Sequence, residues 1–226
     1  MSGPLDQPIA RRAVLAGGLA AALAMSSACA SDTAGPVASP APPKPLPARG
    51  GRVLLAYFSR AGMNYHYGGR LRLEVGNTQV LAGLISARIG CDVHRIDPVE
   101  PYPDDYEATV ARNVDEQDSN ARPGIANSLY SIAGYDTIIL ASGIWNVRAP
   151  MIMTTFTERY DFTGKTVLPV TTYAVSGLGR TETDYAAFCR GAVLGEGLAV
   201  RGEEVDTPAT ATATTRWLQQ VGLTPA

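Results

Sequence analysis

The chain has 226 residues, of which 46% are hydrophobic and 18% charged, and its formal net charge is −2 at pH 7. This length suits one ordinary globular domain with a tail. The mildly acidic balance gives no electrostatic basis for binding nucleic acid, so we expect no nucleic-acid partner.

The first 29 residues have the layout of an export signal. Arg11 and Arg12 precede an apolar stretch, residues 13–25, which is followed by small residues and Cys29. That stretch is shorter than the roughly 20 residues of a membrane span. The paired arginines resemble a twin-arginine signal, and the segment before Cys29 resembles a lipoprotein processing site. We therefore expect an exported protein lipidated at Cys29. A plain secretory signal and an uncleaved anchor are the alternatives.

A linker and one domain are predicted after the signal. Residues 30–51 are rich in Pro, Ala, Ser and Gly and have almost no large apolar side chains, which is typical of a flexible tether. The folded domain is expected at residues 52–226. Within it, Cys91 and Cys189 have a spacing that fits neither a metal site nor a redox pair, so both are expected to be free thiols.

Strands and helices alternate along the predicted domain. Short apolar or alternating runs predict five strands, at residues 52–58, 91–96, 136–142, 166–173 and 192–200. Apolar residues at helical spacing, or polar helix-forming segments, predict five helices, at residues 78–89, 104–117, 149–160, 181–191 and 209–221. This alternation predicts an α/β domain with a doubly wound parallel sheet.

In such a sheet a ligand binds beyond the carboxyl ends of the strands, where the strand order reverses. The loop after the first strand contains Ser59 and Gly62, and Asn77 and Thr78 begin the next helix. Hydroxyl and amide donors beside a helix N-terminus are the parts of a phosphate-binding loop, here without the Gly-Lys-Ser/Thr of a triphosphate site. The alternative is that Asn77 or Thr78 only caps its helix.

Six segments together carry a resemblance to a known family. YFSRAG, GNT, DPVEPYPDDY, IWNVRAP, YDFTGKTVLPV and SGLGR occur in this order within residues 52–202 and resemble the flavodoxin-like family. The resemblance implies a five-stranded parallel sheet of order 2-1-3-4-5, with helices on both faces and FMN as the cofactor. Residues 63–76 interrupt the phosphate loop, an insertion shared by one branch of the family. Its residues Asn64, Tyr65, Tyr67 and Arg72 either shape the cofactor mouth or form a surface flap.

The resemblance also implies a role for residues in three loops. Ser59, Ala61, Asn77 and Thr78 would hold the phosphate of FMN. The residues that would line the flavin ring are Ser142, Gly143, Ile144, Trp145, Asn146, Tyr173, Ser176 and Gly177. Trp145 would stack on the ring or belong to the core, and Asn146 stands where the family often has a second Trp. Tyr173 would stack on the flavin or block its entry.

We therefore expect an FMN-binding redox protein outside the cytoplasmic membrane. It would transfer electrons, or reduce a small acceptor such as a quinone, and membrane contact would come only through the signal or the lipid anchor. No residue is expected to act as a catalytic acid or base, because the cofactor performs the reaction. One alternative is a flavodoxin fold without FMN, serving as a membrane-tethered binding lipoprotein. A reductase using NAD(P)H is a further alternative, for which the sequence has no nicotinamide-binding feature.

Overall fold

The computed structural model describes residues 51–223. The export signal predicted at residues 1–29, including Cys29, lies outside the described residues, as does the linker up to residue 50. Residues 224–226 at the end of the predicted domain also lie outside them.

One parallel sheet forms the centre of the described domain. Its strands are β1 (Val53–Tyr57), β4 (Asp92–Arg95), β5 (Thr137–Gly143), β6 (Thr166–Tyr173), β7 (Val193–Leu194) and β8 (Leu198–Arg201). They are arranged as β4-β1-β5-β6-β7, and β8 also pairs with β6. If β7 and β8 are taken together as the fifth strand, the predicted order 2-1-3-4-5 is confirmed. The order reverses at β1, which places the end of β1 where a ligand is expected.

Helices cover both faces of the sheet. They are α1 (Asn77–Ser86), α2 (Tyr106–Asp118), α3 (Met151–Arg159), α4 (Thr181–Phe188) and α5 (Pro208–Gln220), with a short 3₁₀ helix η1 (Gly202–Glu204). All five predicted helices are present, and α1 and α4 each end three residues before their predicted ends. In α2, the side chain of Asp105 accepts a hydrogen bond of 2.8 Å from the N–H of Ala108, which caps the helix.

The alternating side chains of β1 supply both halves of the core. Leu55 and its odd-numbered neighbours pack with α1 and α5, where Trp217 is buried. Leu54 and its even-numbered neighbours pack with α3 and α4, where Phe156 is completely buried. Because every residue of β1 is buried, the strand appears in the sequence as a continuous apolar run rather than an alternating one.

The predicted fifth strand, residues 192–200, is interrupted. The carbonyl of Val167 in β6 accepts a hydrogen bond of 2.9 Å from the N–H of Gly195, directly after β7. Residues two apart in a strand have the same orientation, so the backbone of Pro169 also faces this neighbouring segment. Proline has no N–H, and pairing therefore stops at this point and resumes only between Val170 and Leu198.

The insertion after β1 folds as a β-hairpin, a structure that was not predicted from the sequence. Strands β2 (Gly62–His66) and β3 (Gly69–Leu73) pair antiparallel, and the two residues between them, Tyr67 and Gly68, both have positive φ. This backbone conformation is that of a tight hairpin turn. The hairpin forms a separate two-stranded sheet.

Cys91 and Cys189 are free thiols, as predicted. Cys189 is buried, which raises its pKa to about 12. Cys91 is half-buried, and burial raises its pKa as well. Both thiols are therefore protonated at neutral pH, which makes them poor nucleophiles.

Among the helices of residues 51–223, none is long and apolar enough to cross a membrane.

Candidate functional site

A cavity of about 390 Å³ lies at the carboxyl ends of β1, β5 and β6. This volume is within the range of small-molecule sites in proteins. The ends of these three strands, the first turn of α1, one side of α2, the β2–β3 hairpin and η1 all contribute to its lining. The cavity is therefore at the reversal of strand order, where ligands of doubly wound sheets bind.

The first turn of α1 is open toward this cavity. Its N-cap residue is Gly76, which has no side chain that could cap the helix. Neither Asn77 nor Thr78 is the capping residue. Ser59 Oγ accepts the N–H of Gln79 at 3.0 Å, but within residues 51–223 the N–H groups of Asn77 and Thr78 have no hydrogen-bond partner. Free N–H groups at a helix N-terminus attract an anion.

Gly76 allows this turn to approach the end of β1. A Cβ atom at Gly76 would lie 2.4 Å from both the carbonyl oxygen of Arg60 and Ser59 Oγ. The two ends of the inserted hairpin therefore meet, and Ser59 lies directly beside the start of α1. In space the phosphate-loop residues are contiguous, although 16 residues lie between Ser59 and Gly76 in the sequence.

Thr78 has a second role that the sequence did not reveal. Its hydroxyl is 2.7 Å from the hydroxyl of Thr172 on β6, and both side chains are buried. Two hydroxyls have two hydrogens, and their mutual bond uses one. The pair joins α1 to β6 and still has one hydrogen for a ligand.

The turn after β5 is held in a strained conformation. Trp145 and Arg148 form a β-bridge, with the N–H of Trp145 donating to the carbonyl of Arg148 at 2.8 Å. Between them, Asn146 and Val147 have φ values of 49° and 62°. A β-branched residue such as Val147 is rarely found there. The N–H of Arg180 donates to the carbonyl of Val147 at 2.7 Å and so holds the turn in place.

Side-chain amides attach the same turn to α2. Gln117 donates to the carbonyl of Trp145 at 3.0 Å and accepts from the amide of Asn146, also at 3.0 Å. Gln117 also donates to Asn113 at 3.1 Å. The amide of Asn146 is therefore used to hold the turn.

Trp145 contacts both the core and the cavity. Its ring packs edge-on against Tyr102 and Phe58, with centroid distances of 5.0 and 5.6 Å. Gly143 leaves room for it, because a Cβ there would lie 3.3 Å from the indole nitrogen. The indole thus belongs to an aromatic cluster and also lines the cavity.

The hairpin is fastened to α2 beside the cavity. The guanidinium of Arg70 lies 3.7 Å from the ring centre of Tyr106 and donates to Glu107 at 3.0 Å, and Arg72 forms an ion pair with Asp104. Asn64 and Tyr65 of the hairpin line the cavity, so the insertion contributes to the site and is more than a surface flap.

Arg60 places a positive charge at the same cavity. Its guanidinium donates to the backbone carbonyls of Met63, Pro103 and Asp104. Burial lowers the pKa of Arg60, and the carboxylate of Asp104 opposes that shift. The guanidinium remains charged at neutral pH and favours an anionic group in the cavity.

Eight of the twelve predicted site residues line this one cavity: Ser59, Asn77, Thr78, Gly143, Ile144, Trp145, Asn146 and Tyr173. The lining does not include the other four. The side chain of Ala61 is exposed, and Ser142 is completely buried within β5. Ser176 and Gly177 belong to the turn after β6, in which the carbonyl of Gly177 accepts from Thr171 at 3.0 Å.

The sequence analysis missed one whole wall of the cavity. Residues of α2 spaced three and four apart line it, namely Tyr106, Thr109, Val110, Asn113 and Val114. Val110 and Val114, four residues apart in an otherwise polar helix, were the available signal in the sequence. Thr172, Gly202 and Glu203 also line the cavity and were not predicted.

The sheet order defines a doubly wound α/β protein, and the reversal of that order holds a cavity of small-molecule size. The sequence matches the flavodoxin family model over residues 52–221. The chain belongs to the flavodoxin family, which confirms the resemblance seen in the sequence. No curated protein matches the sequence significantly.

Solved structures of flavoproteins have a similar fold. A candidate flavoprotein from Bacteroides eggerthii is 27% identical with a TM-score of 0.61, and the match covers 76% of this chain and 98% of that one. A candidate flavoprotein from Bacteroides uniformis is 29% identical with a TM-score of 0.58, and the match covers 76% of this chain and 99% of that one. A Lactobacillus acidophilus flavoprotein in complex with FMN is 17% identical, with a TM-score of 0.49 and coverage of 71% and 99%.

The close approach at Gly76 can be tested by Gly76→Ala. The new methyl group would collide with the backbone of Arg60, so we expect the free energy of unfolding to fall by about 2 kcal/mol in urea denaturation. Gly83→Ala, in the same helix, is the matched control, because nothing lies within 4 Å of its Cβ position. That variant should gain about 0.5–1 kcal/mol. Equal effects of the two substitutions would contradict the assigned role of Gly76.

The strained turn can be tested by Val147→Gly. Glycine tolerates a φ of 62°, and relief of the strain should raise the free energy of unfolding by about 1 kcal/mol, measured by urea denaturation. Val175→Gly is the control, because Val175 is 77% exposed and has no positive φ. There we expect a loss of up to about 1 kcal/mol from backbone entropy. A loss of the same size at both sites would show that the turn is not strained.

Proposed function

We propose that this protein binds FMN in the cavity at the carboxyl ends of β1, β5 and β6 and acts as a redox protein. The observation that carries the proposal is the uncapped N-terminus of α1 beside Ser59, at one end of a cavity that also has aromatic and aliphatic walls. Membership of the flavodoxin family supports the same assignment.

The donor set fits a phosphate monoester. The free N–H groups of Asn77 and Thr78, the hydroxyl of Ser59 and the spare hydrogen of the Thr78 and Thr172 pair can all donate to phosphate oxygens. Arg60 contributes positive charge from a guanidinium whose position is fixed by carbonyl groups. These donors and this charge can hold a phosphate monoester without a metal ion.

The remaining walls fit a flat aromatic ring. Trp145, Tyr106 and Tyr173 present aromatic side chains to the cavity, and Val110 and Val114 present aliphatic ones. Apolar and aromatic contacts of this kind are what holds the ring of a cofactor in place. The backbone of Gly143 and Ile144 lies at the same wall and is available to the polar edge of such a ring.

A bound flavin would supply the electron-transfer chemistry. The protein would hold the ring, limit water and leave one side accessible. Val110 and Val114 are 39% and 40% exposed although they line the cavity. An apolar, open wall suits the approach of a small apolar acceptor such as a quinone, or of a redox partner protein.

We also propose that the protein works outside the cytoplasmic membrane, tethered through Cys29. The support is in the sequence: paired arginines, a short apolar stretch and small residues before a cysteine. A flexible linker of Pro, Ala and Ser would then separate the domain from the membrane surface.

The FMN assignment can be tested with the purified full-length chain. We expect flavin absorption bands after purification or, if the cofactor is lost, quenching of FMN fluorescence on titration. Asn77→Ala should raise the Kd about tenfold, which corresponds to about 1.4 kcal/mol, because the side-chain amide is lost as a donor to the ligand while the backbone N–H stays in place.

The control for that titration is Gln219→Ala, which removes an exposed amide on α5 without touching the cavity lining. It should leave the Kd unchanged. A wild-type chain without flavin bands and without quenching would contradict the proposal. It would favour the alternative of a membrane-tethered binding lipoprotein.

Export can be tested by replacing Arg11 and Arg12 with lysine. We expect the variant to stay in the cytoplasm at its full mass, as judged by cell fractionation and mass spectrometry, because the twin-arginine signal depends on both residues. Arg49→Lys, which changes the linker instead, is the matched control and should be exported normally. Normal export of the double variant would show that another route carries the protein.

A further inference from the structure

Glu203 lines the cavity, and only one of its two carboxylate oxygens has a hydrogen-bond partner within residues 51–223. Its Oε1 atom accepts the N–H of Tyr67, in the turn of the hairpin, at 3.0 Å. Its Oε2 atom is buried and has no hydrogen-bond partner within residues 51–223. A buried carboxylate oxygen without a donor is unfavourable, so an occupied cavity is expected to provide one.

A hydrogen-bond donor lies against the residue that precedes Glu203. The side-chain amide of Asn77 passes close to Gly202, where a Cβ atom would lie only 2.5 Å from Asn77 Nδ2. Asn77 and Glu203 both line the cavity. The first turn of α1 and η1 therefore contribute an amide donor and a carboxylate acceptor to the same cavity.

This combination selects the chemistry of the group that binds there. At neutral pH a phosphate monoester is mostly the dianion, which has no hydrogen to donate to a carboxylate and is repelled by its charge. A hydroxyl both accepts and donates, so it can accept from Asn77 and donate to Glu203. A sugar-alcohol chain between a phosphate and a ring has such hydroxyls.

We propose that Glu203 is a specificity-determining residue that accepts a hydrogen bond from a hydroxyl of the ligand's polyol chain. This inference rests on the proposed function, in which a flavin occupies the cavity, and names the part of the flavin that Glu203 recognises. The bond from Tyr67 fixes one carboxylate oxygen, so the other is held in position before the ligand arrives.

Three flavins separate the ring, the polyol and the phosphate. Lumiflavin has the ring alone, riboflavin adds the ribityl chain, and FMN adds the phosphate. Glu203→Gln removes the charge but keeps an oxygen that can accept from Tyr67, so the hairpin contact is retained. Its Kd for riboflavin and FMN should rise about fivefold to tenfold in fluorescence titrations, because a charge-assisted hydrogen bond is lost. Its Kd for lumiflavin should not change.

Glu204→Gln is the matched control, because the neighbouring Glu204 is exposed and outside the cavity lining. It should bind all three flavins as the wild type does. Glu203→Ala is a second variant, which should weaken riboflavin binding further. It should also speed hydrogen exchange at the Tyr67 N–H.

Three results would overturn the inference in different ways. If the wild type binds FMN and riboflavin but Glu203→Gln and Glu203→Ala bind them equally well, Glu203 has no role in recognition and the proposed function still stands. Glu203 also has no role in recognising the polyol if lumiflavin binding falls as much as riboflavin binding. If the wild type binds none of the three flavins, the proposed function fails and the inference fails with it.

Discussion

The contact between Gly76 and the end of β1 is the constraint on which the site depends. Without a side chain at Gly76, the first turn of α1 can lie against the Arg60 carbonyl and Ser59 Oγ. That approach leaves the N–H groups of Asn77 and Thr78 facing the cavity, and it closes the base of an inserted hairpin. A residue with a Cβ would separate the two segments and remove the anion-binding end of the cavity.

Much of the fold could be predicted because buried strands leave a plain signal. The apolar runs at β1, β5 and β6 indicated the sheet and, with the family resemblance, its order. The break in the fifth strand was harder to foresee, because it depends on which neighbour Pro169 faces, a matter of register rather than of composition. The hairpin could have been predicted, because charged and apolar residues alternate after two glycines, at Arg70, Leu71, Arg72 and Leu73.

The site was predictable where it is built from loops and unpredictable where it is built from packing. Ser59, Asn77 and Trp145 follow strands or begin a helix, so topology alone brings them to one edge of the sheet. The α2 wall depends on how that helix is rotated, which Gln117 fixes through its bonds to Trp145 and Asn146. Such long-range amide bonds leave no pattern in the sequence.

The polar and apolar groups that line the cavity suit one kind of ligand. Donors and positive charge are found at Ser59, Arg60 and the first turn of α1, and a carboxylate acceptor is found at Glu203. Apolar and aromatic side chains of α2 and the β5 loop form the remaining wall. An anion suits the donors and the positive charge, a hydroxyl suits the carboxylate, and a flat ring suits the apolar wall. A ligand with a second anion near the middle would be repelled by Glu203, so a monoester on a polyol fits this cavity better than a diphosphate does.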